Sequence, residues 1–241
     1  MAGEMATEFA GLQERLGEFR GRIIRSLAVF AAAAVVSYVF SERMLGDMLR
    51  RLPSGAELVF LSPSEAFFAR LKLALAGGLV LALPVLLWQI LAFISPYLNP
   101  RDRRAAMLLI PLAFGLFLLG ASFSYLIMLP FALRFLLGFG GAQMQPMLSV
   151  SPYVGFVLLL VLPLGLIFEL PIVMVFLTRI GVVDPQGLAS RRKYVVFLIF
   201  IVSALLTPAD VFSQVLMAIP LLVLFEFSLI VSRLAKGRSG G

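Results

Sequence analysis

The 241 residues include no cysteine and no histidine. Disulfides, thiolate nucleophiles, histidine-bound zinc, haem held through histidine and serine–histidine triads are thereby excluded. An intramembrane protease built on a His-activated serine or a His-zinc centre falls to the same absence. No plausible catalytic constellation remains, so no enzyme, cofactor or metal is expected. Charge is scarce as well: 14% of the residues are Asp, Glu, Lys or Arg, against about 25% in an ordinary soluble domain. What fills the space is apolar. Hydrophobic side chains make up 61% of the chain and the mean hydropathy is +1.03. Several apolar runs approach the roughly 20 residues that a helix needs to cross a bilayer. This composition predicts an all-α polytopic membrane protein.

The net charge is +7 and the isoelectric point about 10.4. The basic residues fall between the apolar runs, where they set topology, so no nucleic-acid partner is expected. The beginning of the chain does not read as a cleaved signal peptide, because Glu4, Glu8, Glu14 and Glu18 stand where a positive region belongs.

In chain order, residues 1–22 form a polar segment whose Phe9, Leu12, Leu16 and Phe19 recur at helical spacing, continued by Ile23. Such a narrow stripe suits a helix lying along a membrane interface. Spans are predicted at about 23–40, 73–94, 105–130, 153–177, 195–206 and 211–231, followed by a polar tail over 232–241, all within one membrane domain. Five helix starts use a capping residue followed by proline: Ser62, Asn99, Ser151, Asp184 and Thr207. Pro84, Pro111, Pro163, Pro171 and Pro220 lie inside spans, so bent helices are expected. The fifth run has twelve residues, which rise only roughly 18 Å against a hydrocarbon core of about 30 Å. The last two spans are therefore read as a shallow hairpin or as a site of local bilayer thinning. Fourteen of the twenty Lys and Arg residues fall on the side of the two termini and six on the other. Both termini then belong in the cytoplasm.

The stretch from Leu83 to Arg104 stands out. An apolar helix leaves the bilayer, turns through Pro96 and Pro100, and presents Arg101, Arg103 and Arg104 around Asp102. Glu169 lies deep in the fourth span, where ionisable groups are costly and face a bundle interior, a wet cavity or a partner. Glu226 is close enough to its span's exit to be structural. Ser213 and Gln214 are polar positions from which a partner helix could be bonded. Glu18 is placed to pair with Arg22 one turn on, and Asp102 and Asp210 to cap their own helices.

Several of these segments together resemble the TatC family, the multi-spanning core of the twin-arginine protein translocase. The opening Arg15-Leu16-Gly17-Glu18-Phe19-Arg20-Gly21-Arg22 is similar to the family's H-L-x-E-L-R-x-R. Ser62 to Phe67, Lys72, Pro84 and Trp88-Gln89 add to it. Phe93-Ile94-Ser95-Pro96-Tyr97-Leu98 with Asp102-Arg103-Arg104 resembles the F-x-x-P-x-L…E-R-R turn. Phe168-Glu169-Leu170-Pro171 and Thr207 to Gln214 complete the likeness, which covers residues 12–232.

The resemblance implies a receptor for the twin-arginine signal peptides of folded cargo, driven by the proton-motive force. It implies that Glu18 and Asp102 receive the arginines, with Phe93, Arg104 and Arg20 on the same surface. Glu169 corresponds to an intramembrane glutamate facing a groove. The fifth and sixth spans, with Thr207, Pro208, Asp210 and Gln214, correspond to the docking site of single-span TatA-like and TatB-like partners. A cytoplasmic (inner) membrane location follows, with self-association left open. Three positions depart from the pattern: Arg15 replaces the family histidine, Asp102 the usual glutamate, and Phe19 the common leucine. The competing reading is an ion-coupled transporter with Glu169 as proton carrier.

Overall fold

The computed structural model describes the backbone of residues 2–53, 56–94, 100–139, 146–207 and 211–237, and the side chains of most of them. The fold is almost wholly helical. Helix α1 spans Ala2–Leu49, α2 Pro63–Ile94 and α3 Pro100–Phe123. A π-helical turn, Ser124–Met128, joins α3 directly to α4, Leu129–Gly138. Helices α5, Val150–Ile167, and α6, Leu170–Arg179, follow one another with only Phe168 and Glu169 between them. A single turn-and-a-half, α7 (Pro185–Ser190), precedes α8 (Arg192–Leu206) and α9 (Val211–Gly237).

Among the described residues, five helical stretches are long and apolar enough to cross a membrane: Gly17–Leu49, Pro63–Ile94, Met107–Gly138, Val150–Arg179 and Gln214–Leu234. With an apolar surface facing lipid, every backbone polar group has to be satisfied within the chain, and helices do so segment by segment. Helix α8, at 15 residues, rises about 22 Å and is the short fifth run of the sequence. Pro84, Pro111, Pro163 and Pro220 lie inside helices that stay continuous.

Three features differ from expectation. The amphipathic stripe and the first span are not separate elements; α1 runs unbroken from Ala2 to Leu49, because neither Gly17 nor Gly21 interrupts the helical bonding. The fourth long helix starts at Val150, with Ser149 in the capping position, rather than at Ser151. Ser151 instead accepts from Lys72 Nζ at 2.8 Å, so a cross-helix ammonium has claimed the expected cap. Thirdly, a short strand follows the first long helix: β1 (Glu57–Val59) pairs in parallel with β2 (Met147–Ser149), Leu58 opposite Leu148. Two three-residue strands so far apart in sequence carry no periodicity that a reading along the chain could catch.

The other helix starts are mixed. Asp184 caps α7, accepting from the Gly187 N–H at 2.9 Å. Glu65 reaches back to the Leu61 N–H at 2.7 Å, one residue beyond the cap that Ser62 was expected to offer. The Thr207 hydroxyl turns to the end of α8, donating to the Ser203 carbonyl at 2.8 Å. Asn99 lies outside the described residues.

Helix α5 is the centre of the packing. Val150, Tyr153, Val154, Val157, Leu160 and Leu164 recur at intervals of three and four and are all buried, which gives one apolar stripe along the helix. It packs against α2, α3 and the π-helical turn. Helix α1 touches the rest almost entirely through α2. There the two backbones come close: a Cβ on Gly78 would stand 2.6 Å from the Ala34 Cα. Small residues at such a crossing give membrane helices their van der Waals contact. The Gly78→Val protein is expected to lose about 1–3 kcal/mol through overpacking, read as a fall in its melting temperature in detergent. Gly115→Ala, where nothing lies within 4 Å of the added atom, should leave the melting temperature unchanged or slightly raised.

Candidate functional site

Glu18 and Arg43 stand at opposite ends of the apolar part of α1. The 25 residue steps from one to the other rise about 38 Å, more than the hydrocarbon core of about 30 Å. The Glu18 end of α1 meets the C-terminal end of α2, from which the chain turns into α3.

At that end Phe19 and Phe93 pack ring to ring, with centroids 5.4 Å apart and planes tilted by 55°. The contact brings Glu18 of α1 beside the last turn of α2. Both rings remain partly exposed, Phe19 at 47% and Phe93 at 37%. The Glu18 carboxylate is bound by Arg22, one turn on in the same helix. The glutamate is half exposed while the arginine is largely covered. Arg20 points to the exterior. Below the aromatic pair an apolar cleft of about 440 Å³ descends between α1 and α2, lined by Phe19, Leu27, Phe30, Leu86, Ile90 and Phe93. Asp102 and Arg104 belong to the first turns of α3, but their side chains lie outside the described residues; Arg103, between them, is exposed.

Glu169 occupies the two-residue junction of α5 and α6. It is 7% exposed, and its Oε1 has no hydrogen-bond partner among the described residues. Its backbone carbonyl accepts from the N–H groups of Ile172 and Val173, both at 3.0 Å. That carries the helical bonding past Pro171, which has no N–H to give. The side chain enters an apolar pocket of about 230 Å³ walled by α2, α3 and α6, including Ile94, Ile110 and Val173. Phe168 packs so tightly on α3 that a Cβ on Gly120 would lie 2.5 Å from its ring. The acid is therefore held where it is by a close-packed neighbour.

The region of α8 and α9 is bonded internally. Gln214 donates through Nε2 to the Phe200 carbonyl at 3.0 Å, from one helix to the other. Glu226 accepts from Arg192 at 3.0 Å, which gives the second intramembrane acid a partner that the sequence order concealed. Thr207 bonds within α8. Pro208 and Asp210 lie outside the described residues. Sequence reasoning missed the Phe19–Phe93 contact and the polar stitching on the far side, where Lys72, Ser151, Arg70 and Ser41 join α1, α2 and α5. Each pair is separated by dozens of residues and has no local signature.

Among the described residues, five apolar spans and a buried acid without a partner define a polytopic membrane protein. Residues 14–220 match the family described as Sec-independent protein translocase protein (TatC). A TatC protein of Aquifex aeolicus is 44% identical over 233 residues, covering 93% of this chain and 95% of its own. One from Desulforapulum autotrophicum is 38% identical over 224 residues, covering 91% and 83%. A crystal structure of the twin-arginine translocase receptor TatC superposes with a TM-score of 0.81 at 41% identity, covering 92% of this chain and 99% of that one. The chain belongs to the TatC family. It is a multi-pass membrane subunit of the Sec-independent, twin-arginine protein translocase, a transport protein.

Burying an unpaired carboxyl costs about 1–3 kcal/mol, so Glu169→Leu is expected to match or exceed the parent's melting temperature in detergent. A clear fall would mean that the glutamate has a partner supporting the fold.

Proposed function

We propose that the Glu18 end of α1 and α2 is the receptor surface for twin-arginine signal peptides of folded cargo. The observation that carries this reading is the Phe19–Phe93 contact, which sets Glu18 at the mouth of an apolar cleft and beside the last turn of α2. A signal peptide of this kind offers guanidinium groups followed by an apolar stretch, and carboxylates above an apolar cleft complement both. Arginine suits such a site better than lysine because its planar fork can bond a carboxylate twice. Glu18 and Asp102 receive the arginines, and Phe93, Arg20 and Arg104 frame them. Arg22 holds Glu18 in the unloaded state and is displaced by the peptide.

In this reading the chain crosses the cytoplasmic (inner) membrane six times, with α8 as a short span, helices bent at their internal prolines, and both termini in the cytoplasm. Spans α8 and α9, with Thr207, Pro208, Asp210 and Gln214, receive TatA-like and TatB-like single-span partners. Glu169 is a polar anchor for a partner or for passing cargo, and the proton-motive force drives export. A transporter using Glu169 as a proton carrier would need further polar groups in its pocket, whose described walls are apolar.

The test is binding of an Arg-Arg signal peptide, against its Lys-Lys version, to the purified protein. Glu18→Ala and Asp102→Ala are each expected to weaken the Arg-Arg peptide about tenfold or more, the loss of a charge-assisted pair, and to abolish the preference over Lys-Lys. Arg22→Ala, which removes the competing cation, should strengthen binding about twofold. An unchanged preference in both carboxylate variants would leave Glu18 as an ion-pair residue only.

A further inference from the structure

Toward the opposite end of the molecule, a second cleft of about 550 Å³ opens between α1, α2, α3 and α5, within the size range of small-molecule sites. Its polarity is graded. Arg43, Asp47 and Tyr125 line one end, and Val80, Leu118 and Leu162 the other. The directions of the four helices agree on this order. Proceeding from the Arg43 end, α1 and α3 are followed backwards and α2 and α5 forwards, and each leads to its apolar residues. From Met48 back to Phe40 the cleft extends about 12 Å along α1, close to the half-thickness of a hydrocarbon core of about 30 Å. Phe40 and Leu118 are exposed at 47% and 40%, so the cleft is open to its surroundings.

The charges at the polar end are unequally satisfied. Asp47 accepts from the Tyr125 hydroxyl at 2.8 Å and stands 3.8 Å from Arg51, whose guanidinium lies over the Tyr125 ring at 4.4 Å. Arg43, one turn nearer the membrane centre on the same face of α1, has no carboxylate within ion-pair distance among the described residues. Its guanidinium lies 5.9 Å from the centre of the Phe40 ring. An uncompensated cation above an apolar slot, at the level where a bilayer changes from headgroup to hydrocarbon, complements an amphiphile with an anionic head.

We propose that this cleft binds one phospholipid of the leaflet opposite the Glu18 end, its phosphate on Arg43 and an acyl chain directed toward Val80, Leu118 and Leu162. Guanidinium and phosphate form charge-assisted, often bidentate bonds. The apolar wall removes the chain from contact with other lipids and so fixes its position. The bound lipid fills the groove between the first long helix and the α3–α5 core, and it gives Arg43 an anionic partner that no carboxylate among the described residues provides.

The full chain, purified in detergent, is mixed with phosphatidylethanolamine and phosphatidylglycerol and examined by native mass spectrometry. The parent protein is expected to retain a single phospholipid. Arg43→Gln, which loses the phosphate contact, and Ser122→Trp, which fills the cleft from an exposed position, should each lower that occupancy about tenfold. Arg43→Lys should keep most of it, and Arg134→Gln, exposed and outside the cleft, should keep all. Diacylglycerol with the same acyl chains, lacking the phosphate, should be retained no better by the parent than phospholipid is by Arg43→Gln. Circular dichroism checks each variant's fold, and Arg43→Gln alone still decides the matter if Ser122→Trp fails to fold. Equal phospholipid retention by the parent and Arg43→Gln, or equal retention of diacylglycerol and phospholipid, would overturn the proposal. So would a parent that carries a second copy of the chain, released in Ser122→Trp, in place of a lipid.

Discussion

The close approach of α1 to α2 at Ala34 and Gly78 decides where both ends of this protein stand. Among the described residues helix α1 meets little else, and from Gly17 onward most of its surface faces outward. In a membrane there is no hydrophobic gain in pressing one apolar helix against another, so the contact rests on dispersion, and dispersion falls away within an ångström of separation. A glycine that lets two backbones approach does more here than a larger apolar residue could. At one end the crossing brings Phe19 onto Phe93. At the other it leaves room beside α3 and α5 for the cleft under Arg43.

Many of the described polar groups stitch the bundle, whereas Glu169 and the buried hydroxyls of Ser124, Thr178, Ser203 and Ser232 have no partner among the described residues. On the far side, Lys72 bonds Ser151, Arg70 bonds Ser41, and Tyr153 donates to the Met48 carbonyl at 3.0 Å. The Glu65 carboxylate accepts from both the Leu61 N–H and the Ser149 hydroxyl, tying the start of α2 to the β1–β2 ladder. These bonds are each worth about 1 kcal/mol net, more where one partner is charged, and together they fix the register of α1, α2 and α5. Glu169 has no such return. An acid kept in an apolar pocket without a partner weakens the subunit alone, which agrees with its proposed use as a contact for something that arrives from outside.

The proposed receptor surface poses a problem of competition, and magnitudes settle it. Glu18 already has a cation in Arg22, and further arginines crowd the same segment. An i,i+4 pair with one partner half exposed contributes only about 0.3–0.5 kcal/mol. A bidentate guanidinium–carboxylate bond made beside an apolar cleft exceeds that. At the proposed site the exchange of Arg22 for a peptide arginine would therefore be favourable, and the resident pair keeps Glu18 from standing as a lone charge.

Much of this was legible along the chain. Composition alone required helices in a membrane. The segments around Glu18, Asp102, Glu169 and Thr207 pointed to the TatC family, to which the chain belongs. The pairing of Glu18 with Arg22 and the capping of α7 by Asp184 were local events, spaced three or four residues apart, and a sequence carries such information directly. What it could not carry were relations between helices. Ser151 looked like a cap until Lys72 was seen to claim it; Glu226 lacked a partner until α8 and α9 were side by side. The parallel ladder, the Phe19–Phe93 contact and the cleft beneath Arg43 arise only when segments separated by dozens of residues are brought together. The sequence by itself determined which stretches would be apolar and helical, because hydration and backbone bonding act over a few residues. Only the tertiary structure decided which charges were paired and which were left open, because that depends on how closely one helix can approach another.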